Sequence, residues 1–130
     1  CAETIVSNIT HAVATPDLSM IGMKDYLNNI QAYVAVDTGF AHLAAAMDIP
    51  GVCLMGPTSP MHSGPQGAHQ VPLTVTRACS PCRKRHCQFV DKNDDSLCLS
   101  TIQASDVCVK LRSMLNTHKE QHDNSTLLCT

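Results

Sequence analysis

Ala32-Tyr33-Val34-Ala35-Val36-Asp37-Thr38-Gly39-Phe40-Ala41-His42-Leu43-Ala44-Ala45-Ala46 is the stretch on which the fold of this chain turns. Its first five residues are nearly all apolar, the pattern of a strand covered on both faces. Asp37-Thr38-Gly39 stops the run, and Phe40, Leu43, Ala44 and Met47 then recur on one helical side. Pro50-Gly51 breaks that helix. Val52-Cys53-Leu54-Met55 follows as a second buried strand and ends in Gly56-Pro57-Thr58. Short apolar strands alternating with helices indicate parallel βαβ units.

Upstream, Met23, Leu27 and Ile30 mark another helix, and His11-Ala12-Val13-Ala14 is a short strand candidate closed by Thr15-Pro16-Asp17. The opening CAETIVSNIT reads as a chain entered mid-element, because Ala2, Ile5, Val6 and Ile9 share a helical face, and a truncated N-terminus is expected. Downstream, residues 59–70 are rich in Pro, Gly and His and read as irregular, and Leu73-Thr74-Val75-Thr76 reads as one more strand. The segment Cys79 to Cys98 has little periodicity. Val107, Leu111, Met114 and Leu115 define a last helix, with Asp106 placed in its first turn to complement the macrodipole. From His118 the chain is polar and expected to fray. The reading is an α/β, Rossmann-like open parallel sheet over residues 1–115, with a Cys-rich insertion at 79–98 and a polar tail at 116–130.

The 130 residues allow one core, not two. At 44% hydrophobic and 15% charged the chain is globular in character. A formal net charge of −2 gives no general electrostatic footprint for nucleic acid or an anionic membrane. No apolar run approaches the ~20 residues of a transmembrane helix. Eight cysteines are many for this length. An extracellular disulfide framework goes with a smaller, loop-rich chain and a secretory signal, so a reducing cytoplasm is expected, with cysteines as core residues and metal ligands. The sequons at Asn8 and Asn124 matter only in a secreted chain.

In a parallel sheet, ligands bind outside the carboxyl ends of the strands. Asp37, Thr38 and Gly39 stand at such an end and also open a helix, whose free N–H groups and dipole suit a phosphate. Gly39 lets a ligand approach the backbone, Thr38 adds a hydroxyl, and His42 lies one turn further on. A carboxylate repels phosphate, so Asp37 suits sugar hydroxyls instead. The plainer reading of the same residues is an ordinary N-cap, a turn glycine and a surface histidine.

Beyond the turn itself, Asp37 to Ala46, Ile49-Pro50, Gly56-Pro57-Thr58-Ser59-Pro60, Gly64-Pro65, Cys79-Ser80-Pro81-Cys82, Cys87 and Cys98-Leu99 occur in order. In that order they resemble the donor-domain signature of glycosyltransferase family 9, the bacterial ADP-heptose heptosyltransferases. The resemblance covers roughly residues 17 to 115 and implies the C-terminal half of a GT-B fold. It implies that Asp37 holds sugar hydroxyls, that Thr38, Gly39 and His42 hold the donor diphosphate, and that Leu18-Ser19-Met20 lies near the adenine. Gly56-Pro57-Thr58 is expected to shape the pocket wall or simply to turn the chain. The implied reaction transfers heptose from ADP-heptose to the lipopolysaccharide core or to a protein hydroxyl, at the cytoplasmic side of the inner membrane. The family's acceptor domain, its catalytic carboxylate and a basic residue near the phosphates have no counterpart in these residues. No catalytic residue and no catalytic cofactor are therefore assigned, and the chain alone is expected to bind donor weakly and transfer nothing.

Cys79, Cys82, Cys87 and Cys98 form the pattern C-x2-C-x4-C-x10-C. Four thiolates suit a closed, structural zinc or iron site. Cys-rich fingers in some members of the resembled family support that reading, while disulfides or free thiols are the alternatives. Arg83, Lys84, Arg85 and His86 lie between these cysteines and either stabilise thiolates or are solvated. Cys53 and Cys108 are expected as small core residues. His62 and His69 are expected at the pocket mouth or as plain surface residues. Two rival functions remain. A retroviral-type aspartic protease also has an apolar run ending in Asp-Thr-Gly, but the helix-period residues that follow oppose its nearly all-β fold. A four-cysteine metal module for nucleic acid or protein gains from Arg77 and the 83–85 cluster, and loses from an aromatic content of 3%.

Overall fold

The computed structural model describes residues 2–89 and 97–126, with no side-chain detail for Ala2, Glu3, Ile5 or residues 118–126. Residues 90–96 of the Cys-rich segment lie outside the description, as does the shared face proposed for Ala2 and Ile5. In chain order the elements are α1 (Ala2–Asn8), α2 (Met20–Leu27), β1 (Tyr33–Val36), α3 (Gly39–Ala46), β2 (Gly51–Met55), α4 (Pro60–Ser63), β3 (Gln70–Thr74), a 3-10 turn (Leu99–Thr101) and α5 (Ala104–Thr126). The strands form one parallel sheet in the order β1-β2-β3. Tyr33 lies opposite Gly51, and Gly51 opposite Gln70. This is the α/β Rossmann-like architecture that the βαβ rhythm predicts, and its parallel pairing and the helix directly after Asp37-Thr38-Gly39 dispose of the protease reading.

One face of the sheet is built on alternation. Tyr33, Cys53 and Met55 point to the same side and join Leu27, Ala41, Ala44 and Ile49 in the core. Ala41 and Ala44 are fully buried because their small side chains let α3 lie close on β1 and β2. On the other face Val52 is also fully buried, and α5 is the helix that contacts β2 besides α3. β2 is thus covered on both faces.

β1 is not. Val34 and Val36 are 44% and 40% exposed, which corrects the expectation of a strand buried on both sides. β1 ends the described sheet, and α5 packs mainly on β2. The strand expected at His11–Ala14 does not form either. A strand needs a partner ladder, none lies beside this stretch among the described residues, and Val13 is 84% exposed. β3 begins earlier than the Leu73–Thr76 reading and includes Pro72. Proline is tolerated there because β3 bonds to β2 alone and needs donors on one side only. α5 continues helical past residue 115, where the polar tail was expected to begin. Intrahelical bonds carry it through polar sequence. Cys108 is exposed on α5, not in the core, whereas Cys53 is fully buried as expected.

Candidate functional site

Asp37 follows the last residue of β1, so its carboxylate stands over the carboxyl end of the sheet. Ser63 of α4 donates its hydroxyl to Asp37 Oδ2 at 2.6 Å, and His42 Nε2 lies 3.5 Å from Asp37 Oδ1. The Asp37 side chain is 15% exposed. That burial is the largest single influence and favours the neutral acid. The Ser63 hydrogen bond, then the nearby Thr58 hydroxyl and His42, together outweigh it and hold the carboxyl below its ordinary range. The site therefore presents a carboxylate at neutral pH. Its charge reaches Cys53 behind it, whose thiol is pushed up to about 11, first by burial and then by Asp37. Cys53 is thereby an inert core thiol. The Thr58 hydroxyl is buried without a well-formed hydrogen bond of its own.

Thr38 takes the N-cap position of α3, with extended backbone and no side-chain capping bond. Its hydroxyl instead donates to the Val36 carbonyl at 3.3 Å. The His42 N–H bonds back to the Thr38 carbonyl at 3.4 Å, so the N–H groups of Gly39, Phe40 and Ala41 precede the first intrahelical bond. Gly39 has neither a left-handed φ nor a protein neighbour within 4 Å of where a Cβ would stand. Neither backbone conformation nor protein packing accounts for a glycine here.

Gly56-Pro57-Thr58 is more than a turn. The Ser80 hydroxyl donates to the Gly56 carbonyl at 2.7 Å, and the Arg83 N–H donates to the Pro57 carbonyl at 2.8 Å. A Cβ on Gly56 would stand 3.0 Å from Cys98 Cβ, so the glycine admits the close approach of Cys98 and Leu99. The turn is thus a dock for that segment. Beside it opens a cavity of about 520 Å³, lined by Asp37 and Thr58 on the sheet side and by Cys79, Cys82, Cys87 and Cys98 on the other. Lys84, Arg85 and Phe89 complete its wall.

The four cysteines therefore converge on one space, and none is in a disulfide. Cys98 shows their closeness: burial first, then the neighbouring Cys87, Cys79 and Cys82, raise its thiol pKa, with Arg77 opposing. The donor set suits a metal in chemical type. Among the described residues, however, no three His, Cys, Asp or Glu side chains are drawn together tightly enough to hold an ion.

Of the expected site residues, the structure joins Asp37 and His42 directly, with Thr38 and Gly39 between them at the start of α3, and sets Asp37 beside the Cys-rich segment. Ser19 is occupied as the N-cap of α2, accepting from the Gly22 N–H at 3.1 Å. His62 borders a second, smaller cavity. His69 bonds Asp48 at 3.0 Å, and its carbonyl receives the N–H of Gly51 at the start of β2, the end of the sheet opposite Asp37. Ser63 was not foreseen. It lies 26 residues from Asp37 in sequence, and only the route of the chain after β2 brings the two together.

A family model for glycosyltransferase family 9 (heptosyltransferase) matches residues 1–92, which include β1, α3, the Gly56-Pro57-Thr58 turn and three of the four cysteines. The chain belongs to glycosyltransferase family 9. Among curated members of the family, lipopolysaccharide heptosyltransferase 1 of Pseudomonas aeruginosa is 36% identical over 124 residues, covering 88% of this chain and 35% of that protein. The enzyme of the same name from Escherichia coli is 33% identical over 76 residues, covering 58% of this chain and 24% of that protein. That from Salmonella typhimurium is 32% identical over 80 residues, covering 62% and 24%. The chain thus spans about a third or less of the length of these family 9 relatives. No solved structure matches it significantly. Family membership places Asp37-Thr38-Gly39 within the matched region and removes the free-standing four-cysteine module as a description of the chain. No helix among the described residues is long and apolar enough to cross a membrane.

Proposed function

We propose that residues 1–115 are the nucleotide-sugar-binding part of a heptosyltransferase that uses ADP-heptose, with the lipopolysaccharide core as acceptor in preference to a protein hydroxyl. The names of the relatives support that acceptor. Acceptor and catalytic base would be supplied by residues outside this chain, at the cytoplasmic face of the inner membrane. The N–H groups of Gly39, Phe40 and Ala41 would take the donor diphosphate, and His42 would stabilise it as it departs. Asp37 keeps unused lone pairs on both oxygens beside Ser63 and His42, and these would accept sugar hydroxyls. The buried, unpartnered Thr58 hydroxyl next to it offers a further contact. The observation that carries this reading is the open space over Gly39, which no described residue fills.

Gly39→Ala tests it. Alanine favours the helix, so the melting temperature of the full-length protein should hold or rise slightly. The new methyl stands where the diphosphate would approach, and ADP affinity should fall at least about tenfold, equivalent to ~1.4 kcal/mol. Equal ADP affinity in both proteins would remove Gly39 from the site. No selective binding of ADP over UDP and GDP by the wild type would defeat the donor assignment.

The same reading includes a structural metal, zinc or iron, held by Cys79, Cys82, Cys87 and Cys98 once the loop closes around it. One metal ion per chain by elemental analysis is expected, lost in Cys82→Ser. Four thiols that all react with a thiol reagent in metal-free, folded protein would favour free cysteines instead.

A further inference from the structure

Besides the cavity that Asp37 borders, a second cavity of about 440 Å³ opens at the same end of the sheet. Ser59, His62 and Ser63 form one wall and Arg83, Lys84 and Arg85 the other. Among the described residues its lining contains no acidic one, although Asp and Glu outnumber Lys and Arg in the chain by 11 to 9. Three consecutive cations therefore face hydroxyls and a histidine, and two of them, Lys84 and Arg85, also line the larger cavity, which leaves Arg83 to this one alone.

Those cations are held there by backbone. Arg83 has a left-handed φ of 55°, unusual for a non-glycine residue, and its N–H is fixed to the Pro57 carbonyl at 2.8 Å. A strained conformation persists only where surrounding structure over-determines it. Here it turns the loop so that residues 83–85 pass over the end of β2. None of the three is in an ion pair among the described residues.

We propose that this second cavity is an anion subsite, in which Arg83, flanked by Lys84 and Arg85, binds a phosphate or carboxylate group other than the donor diphosphate, with Ser59 and His62 as further partners. Arg and Lys on one wall with hydroxyl donors on the other make charge-assisted hydrogen bonds to an oxyanion. The assignment rests on the donor reading only in naming which diphosphate it is distinct from. Asp37 belongs to the larger cavity, with its charge turned toward Ser63 and His42.

The test uses full-length protein saturated with ADP, titrated with inorganic phosphate at constant ionic strength and followed by thermal shift. Phosphate should stabilise the ADP-bound wild type. The double variant Arg83→Ala/His62→Ala, at residues that line this cavity and not the larger one, should weaken the phosphate effect about tenfold and leave ADP affinity within about twofold. Arg83→Lys keeps the charge and should retain phosphate binding, which separates a loss of charge from a loss of fold. No phosphate effect on the wild type, or an equal effect on wild type and double variant, would overturn the subsite. A parallel loss of ADP affinity would also overturn it, because the cations would then belong to the donor diphosphate. If the wild type binds no ADP but phosphate stabilisation still depends on Arg83 and His62, the subsite stands and the donor assignment fails.

Discussion

His42→Ala in the full-length protein should lower turnover about 100-fold, the usual loss when one donor to a developing negative charge is removed. The expected cost in stability is small. The His42 side chain is 46% exposed, and its recorded partner is the Asp37 carboxylate at 3.5 Å, a distance at which an exposed pair contributes little. The melting temperature should therefore move by no more than about 2 °C. A steady-state assay with ADP-heptose, read against a thermal melt of the same preparation, checks both halves. An unchanged rate would show that His42 does no more than flank Asp37. A rate loss that follows unfolding would assign it to the fold. The proposed role in the departing diphosphate requires the two to separate, with the loss falling on kcat.

Gly51→Ala should have the largest structural effect of any single methyl added to this chain. Gly51 opens β2, directly across from Tyr33, and an added Cβ would overlap Tyr33 Cδ1, Cε1 and Cζ. The ring has nowhere to retreat. It is 5% exposed and packs edge-on against Phe40, with centroids 5.9 Å apart at 86°. Its hydroxyl lies 2.5 Å from Gln70 Oε1 and 3.2 Å from the Ala41 carbonyl. Burial, then the nearby Cys53, pushes the Tyr33 pKa up to about 12, so the hydroxyl remains a donor at neutral pH. Overpacking a core costs about 1–3 kcal/mol, and displaced hydrogen bonds add roughly another 1 kcal/mol. A loss of about 3 kcal/mol in urea unfolding is expected. Tyr33→Leu in the same background should cost less than the sum of the two single changes, because the shorter side chain relieves the overlap. Additive losses would mean that Tyr33 is not what the methyl strikes.

Much of the site was legible because its signals are local. Asp37-Thr38-Gly39 is a strand end and a helix start within three residues, and hydrophobic periodicity marks both sides of it. The Cys79-Cys82 spacing is likewise a short-range pattern. Where neighbours decide, the same reading went astray. His11–Ala14 has the composition of a strand but no ladder to join, and Cys108 has the composition of a core residue on a helix that leaves it exposed. Val34 and Val36 look like the interior of a sheet, yet β1 is covered on one side only.

By itself, then, the sequence determined the element types, the parallel α/β class, the position of the Asp37 turn and the four-cysteine spacing, since each is written in residues a few positions apart. Tertiary structure alone decided the rest. In sequence, Gly51 is a helix breaker, and only β1–β2 pairing makes it the space for the Tyr33 ring. Ser63 reaches Asp37 across 26 residues, and Gln70 reaches Tyr33 across 37. The Cys-rich segment settles on the Gly56-Pro57-Thr58 turn through Ser80 and Arg83, which carries three cations to the mouth of a second cavity. Such contacts depend on how the chain returns after each strand, and parallel crossovers bring together residues whose separation leaves no periodic trace.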